Sequence, residues 1–288
     1  MEWHEIHDPT QPELDGLAER YRLHPLHIED CRHRNQRAKV ESGDGYLFIV
    51  LKPMRLNAEE SVDAGDLDVF LGPDYIITVE EQETTEVREM LATIRKSARI
   101  TYPDQLLYRV LDAVVDAYVP ILDRFDDRID ELEDEVLKEP KPESLARIFS
   151  LKRCLVDLRR IMANTRDVAN HLQRAEGDLV RPQMQPFYRD VYDHLARSLD
   201  LVEGQRDLLT GALEIYLSSV ANRTNQVMRV LTTVGTITLP ILLVTSFYGM
   251  NVEGLPWVNA STPVLRIGGT MVGLTALLLG YLKLRRWL

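Results

Sequence analysis

The chain has 288 residues, room for one large domain or two smaller ones, with 45 acidic against 34 basic residues and a net charge of −11. That acid surplus leaves no cationic face to neutralise phosphates, which excludes a nucleic-acid binder. It suits a soluble acidic surface, or oxygen sites for hard cations.

The N-terminal stretch MEWHEIHDPT is charged and polar, so no signal peptide is expected. Residues 1–102 read as a mixed α/β domain. Helical patterns cover Pro12–Tyr21 and Thr84–Arg99, and strands cover Gly45–Lys52, Asp66–Gly72 and Tyr75–Glu80, bounded by Gly-Asp-Gly and Gly-Pro-Asp turns. His24, His27, Cys31 and His33 fall within ten residues and invite a zinc reading, but their spacing fits no standard structural-zinc pattern and Pro25 constrains the segment. Cys31 and Cys154 are the only cysteines and lie far apart, which suits a reducing compartment better than a disulfide scaffold.

After Pro103 the strand signal stops. Leu106, Val110, Val114, Leu122, Phe125, Ile129, Leu132 and Val136 recur at three- and four-residue steps and predict one helix, broken at Pro140 and Pro142. Leu145, Ile148, Leu151, Leu155 and Leu158 begin a second, making a helical hairpin over 103–185. The acids of the first helix, Asp123, Asp126, Asp127, Asp130, Glu131, Glu133, Asp134 and Glu135, read either as a solvated face or as a cation-collecting surface. A third pattern runs from Phe187 through Val191, Leu195, Leu199, Val202, Leu209, Leu213, Tyr216 and Val220. It enters an uncharged run without a break, so the expected helix over 186–250 would be about 95 Å long at ~1.5 Å per residue. Its apolar stripe demands cover from a bundle or an oligomer.

The uncharged run, Val230–Val252, counts 23 residues, enough for a membrane span at about 230–250. A second run, Ile267–Leu282, counts 16 between Arg266 and Lys283, whose side chains can snorkel to complete a span over 264–283. Residues 251–263 form the loop between the spans and 284–288 a basic tail. Arg223 and Arg229 precede the first span and Lys283, Arg285 and Arg286 follow the second, so the positive-inside rule puts both termini in the cytoplasm of an inner or plasma membrane. Trp257 and Trp287 fit aromatic belts at the two interfaces.

A long helix entering the first of two C-terminal spans, with Tyr-Gly-Met-Asn at its outer end, resembles the CorA family of magnesium channels. HPLHIED (His24–Asp30), FYRDVYDH (Phe187–His194), YLSSVANRTNQVM (Tyr216–Met228) and the ending KLRRWL extend the resemblance over residues 20–288. The resemblance implies an α+β cytoplasmic domain, a stalk helix and two spans, assembled as a homopentameric funnel with the first span lining the pore. It implies a passive divalent-cation channel for Mg2+, with Co2+ and Ni2+ carried as well. Gly249, Met250 and Asn251, with Glu253 just outside, would form the selective mouth; neutral oxygens there hydrogen-bond a hydrated ion without stripping its water. Asn225, Met228, Leu231, Thr232, Gly235, Leu239, Leu242 and Ser246 would line the pore, with Met228 and Leu231 as the apolar gate. Leu242 stands where some relatives carry a threonine, so the resemblance does not carry over a polar mid-pore station to this position. Regulatory Mg2+ would sit between subunits on Asp30 of one copy and Asp190 of the next, with Glu29 and Asp112 as candidates for a second site.

Two other readings remain. The intact Met250 disfavours a zinc transporter of the same superfamily, and the polar ring kept at the pore mouth, Asn225 at the inner end and the acid pairs disfavour a non-conducting membrane scaffold. No P-loop, Gly-x-Ser-x-Gly or His-Glu-x-x-His motif occurs, so neither an enzyme nor a nucleotide-driven pump is expected.

Overall fold

The architecture is that of a computed structural model, which describes residues 1–33, 36–57, 62–80, 85–97, 100–175, 177–250, 254–257 and 261–284. The chain divides into two compact units, Met1–Leu213 and Glu214–Leu288.

The first unit begins with β1 (Glu2–Ile6), α1 (Pro12–Tyr21), α2 (Pro25–Arg32), β2 (Lys39–Ser42), β3 (Leu47–Leu51), β4 (Met54–Leu56), β5 (Val62–Ala64), β6 (Leu67–Leu71), β7 (Tyr75–Glu80) and α3 (Thr85–Ser97). Five strands form one sheet in the order β1-β7-β6-β3-β2, while β4 and β5 pair as a separate ribbon. Only β1 runs parallel to its neighbour, with Glu2 opposite Tyr75. Strands β3, β6 and β7 are buried at every position, because helices cover both faces of the sheet. Phe48, Val50, Phe70, Ile77 and Val79 pack on one face with Leu14 and Leu17 of α1 and Ile28 and Cys31 of α2. The alternate residues point the other way, where α4 (Pro103–Asp116) packs on β6 and β7.

The single helix expected over 106–136 is two helices. α4 stops at Asp116, and α5 (Tyr118–Lys138) restarts after Ala117, still in the right-handed region at φ −67° and ψ −15°. Pro120 supplies the reason. It has no N–H to give the Asp116 carbonyl, and its ring crowds that carbonyl, so the helical ladder cannot pass. α6 (Pro142–Gln173) opens on Pro142 in its first turn. The Ser144 hydroxyl ties the two helices, accepting from the Lys141 N–H at 3.2 Å and donating to Glu135 at 2.7 Å.

α7 (Gln185–Tyr248) follows a 3-10 turn at Pro182–Met184 and crosses from the first unit into the second. Its start is pinned to α4 by buried polar bonds. Arg181 grips Asp104 with two parallel N–H···O bonds at 2.7 and 2.9 Å, and the Tyr188 hydroxyl donates to the Asp104 carbonyl at 2.8 Å. In the second unit, the rest of α7 and α8 (Pro263–Leu284) are both long and apolar enough to cross a membrane. Among the described residues α8 has no buried side chain, which leaves a broad apolar surface open.

Candidate ion path and metal sites

The eight candidate pore residues of α7 follow one another at steps of three and four, apart from the adjacent Leu231 and Thr232. At ~100° per residue they share an arc of about 120° on the helix. That arc is open: Met228 is 55 % exposed, Leu231 63 %, Leu239 65 % and Leu242 62 %. A neighbouring stripe, Thr233, Thr236, Pro240, Val244 and Tyr248, is the partly or fully covered one; it starts beside the arc at Thr236 and turns away from it around the helix. The second unit thus leaves the candidate face free.

The face is uncharged and mostly apolar, with Asn225, Thr232 and Ser246 at intervals. The Thr232 hydroxyl donates to the Met228 carbonyl at 2.8 Å, and Thr236 and Thr245 bond their own helix in the same way. Their protons are committed to the backbone, which leaves the hydroxyl oxygens as acceptors. At the end of α7 the Gly249 N–H donates to the Thr245 carbonyl at 2.9 Å. A Cβ on Gly249 would lie 3.1 Å from that same carbonyl oxygen, tighter than an ordinary contact, so the absent side chain lets the backbone close over the helix end. Met250 follows, half exposed, while Asn251 and Glu253 lie outside the described residues.

The candidate acids fall into two groups. Glu29 and Asp30 occupy the C-terminal half of α2, a helix set by Pro25 in its first turn and by the His24 ring, which accepts from the Leu26 N–H at 3.2 Å. Glu29 is exposed. Asp30 is held by Lys39, whose Nζ lies 2.7 Å from Oδ2 and 2.8 Å from Glu41 Oε1. Burial works to lower the Lys39 pKa, but the hydrogen bonds it donates to Asp30 and Glu41 outweigh it and the net shift is upward, so this ammonium stays charged. Asp112 of α4 and Asp190 of α7 form the other group, beside Tyr108. Burial raises the pKa of Asp112, and the charges of Asp116 and Asp190 push the same way against a hydrogen bond from Tyr108. Within one chain, then, Asp112 feels the charges of Asp116 and Asp190, while Asp30 is bonded to Lys39.

Sequence reasoning passed over Lys39, Glu41 and Tyr108, although the signal was present. Tyr108 precedes Asp112 by one helical turn, and Lys39 and Glu41, two apart on β2, share a strand face. His24, His27, Cys31 and His33 go to separate partners. His24 caps α2, His27 contacts the Tyr46 hydroxyl at 2.8 Å and stacks on Phe48, Cys31 is buried, and His33 bonds the Glu29 carbonyl. Among the described residues no three His, Cys, Asp or Glu side chains of one chain are arranged to hold a metal.

The family described as CorA-like Mg2+ transporter protein matches residues 1–285. A cobalt/magnesium transport protein CorA from Thermotoga maritima is 37 % identical over 282 residues, covering 96 % of this chain and 80 % of that one. Among solved structures, the complete CorA magnesium transporter from Methanocaldococcus jannaschii superposes with a TM-score of 0.85 over 99 % of this chain and 91 % of that one, at 23 % identity. The full-length CmaX protein superposes at 0.78 over 99 % and 88 %, at 21 % identity. These last two likenesses establish the same fold, in which a mixed sheet with helices precedes a long helix and a C-terminal apolar helix.

Proposed function

Since the chain belongs to the family of CorA-like Mg2+ transporter proteins, we propose that it carries divalent cations passively across a membrane. Mg2+ is the main ion, and Co2+ and Ni2+ pass as well. Five copies surround a pore lined by the open face of α7, with the termini on the cytoplasmic side. The observation that carries this reading is the uncharged arc from Asn225 to Ser246, which the chain leaves uncovered.

Mg2+ sheds its water reluctantly, so a selective mouth works best by bonding the hydrated ion. A ring of Asn251 amide oxygens supplies that, and Glu253 raises the local cation concentration. Farther in, Leu231 and Met228 close the path by excluding water. No nucleotide drives the ion; the membrane potential does.

Regulatory Mg2+ is held between copies by carboxylates, Asp30 with Asp190 of a neighbouring copy, and Glu29 with Asp112. The donor chemistry fits a hard cation, being all oxygen. Burial, and after it the charges of Asp116 and Asp190, raises the Asp112 pKa, and a bound cation relieves the repulsion among these acids. Filling these sites joins the copies, and emptying them favours opening.

The experiment is uptake of Mg2+ and Co2+ into liposomes holding the purified protein. Asn251→Ala should abolish flux while the assembly, read by size-exclusion light scattering, stays intact. A well-assembled variant with parental uptake would remove Asn251 from selectivity, and a parent without uptake would favour a scaffold.

A further inference from the structure

Asp30 does not wait for a metal with its charge uncompensated. The Lys39 ammonium sits 2.7 Å from it and 2.8 Å from Glu41, largely shielded from solvent. Strand pairing fixes Lys39 opposite Val50, and its Nζ lies 5.8 Å from the centre of the Phe48 ring. Glu41 is further held by His27, 3.2 Å away. Two carboxylates thus converge on one cation that the chain itself supplies.

We propose that Lys39 is a tethered counter-cation, which a divalent ion must displace from Asp30, and that it thereby sets the Mg2+ concentration at which the regulatory site fills. The inference rests on the reading of Asp30 as a regulatory ligand and adds the residue that tunes it. Tethering gives the ammonium a high effective concentration at the carboxylate, one that no change in bulk salt can dilute. Against it, Mg2+ brings two charges and demands oxygen ligands. The ammonium offers one charge and three N–H donors. The contest is near enough to balance for a site that must empty and fill. Without Lys39, Asp30 and Glu41 would face each other with no shared cation between them, and their joint field would draw a divalent ion at lower concentration.

The test uses the full-length protein in detergent, with limited proteolysis of the extramembrane region followed across a Mg2+ titration. Lys39→Met should lower the protection midpoint about fivefold or more, the scale of one partly screened ion pair. Lys39→Arg, which keeps the charge, should stay within about twofold of the parent. Asp30→Asn should lose the Mg2+ dependence. If Lys39→Met does not fold, Lys39→Gln replaces it with the same expected direction. A midpoint unchanged or raised in the neutral variant, with Asp30→Asn still defective, would overturn the role of Lys39 and leave the Asp30 reading standing. Parental protection in Asp30→Asn would overturn both.

Discussion

Asp68 sits on the central strand β6 with one carboxylate oxygen, Oδ1, lacking a partner among the described residues. Burial, then the charge of Asp66, pushes its pKa up from 3.8 to about 7, with Asp30 adding to the rise and Cys31 and Lys52 opposing it. The folded chain therefore holds a proton that the unfolded chain has released between about pH 4 and 7. Stability should fall as pH rises through that window and level off above it, a loss of roughly 4 kcal/mol for three pKa units. Asp68→Asn removes the charge in both states. It should flatten this slope and leave the variant more stable than the parent at pH 8, measured by urea unfolding at several pH values. A variant with the parental slope would assign the pH dependence to other groups. Nothing in Asp-Leu-Asp-Val-Phe-Leu announces this residue. An aspartate at an alternating position reads as outward-facing, and only the cover over both sheet faces turns it inward.

At the level of elements, the start of α7 depends on one buried pair. Asp104 is buried and Arg181 lies over the Tyr102 ring, 3.5 Å from its centre. Arg181→Met would strand the carboxylate in a dry site, at a cost of about 3 kcal/mol. Urea unfolding should show that loss, with faster hydrogen exchange in the first turns of α7. Parental stability and exchange would show that the turn at Pro182–Met184 holds without the pair. The long helices were legible because their apolar residues recur over many turns, and the three interior strands because they are short β-branched and aromatic runs. The break at Ala117 was missed, because the apolar period continues across it and hides the signal of Pro120. β1 was not legible. Glu-Trp-His-Glu-Ile carries no strand alternation of its own, and its place is fixed by parallel pairing with β7, far along the chain.

For the whole molecule, the two long apolar helices were plain in the sequence, since an uncharged run of 23 residues stands out in a chain this acidic. The candidate pore face was legible for the same reason, as a spacing on one helix. The grouping of the candidate acids was not, because no local period links α2, α4 and α7, and the proposed site between copies would leave no trace in one chain's periodicity. The account turns on whether the open face of α7 conducts. Leu231 lies six residues, about 9 Å, along the helix from Asn225. Leucines facing one another there would exclude water and stop an ion that keeps its shell. The decisive measurement is Mg2+ uptake into liposomes at matched protein density, with internal Mg2+ held in the millimolar range, for the parent and for Leu231→Gly. The account predicts low flux in the parent and a rise of about tenfold or more in the variant as the constriction wets. Equal flux in both would move the gate away from Leu231, and no flux in either, at low or high internal Mg2+, would contradict conduction.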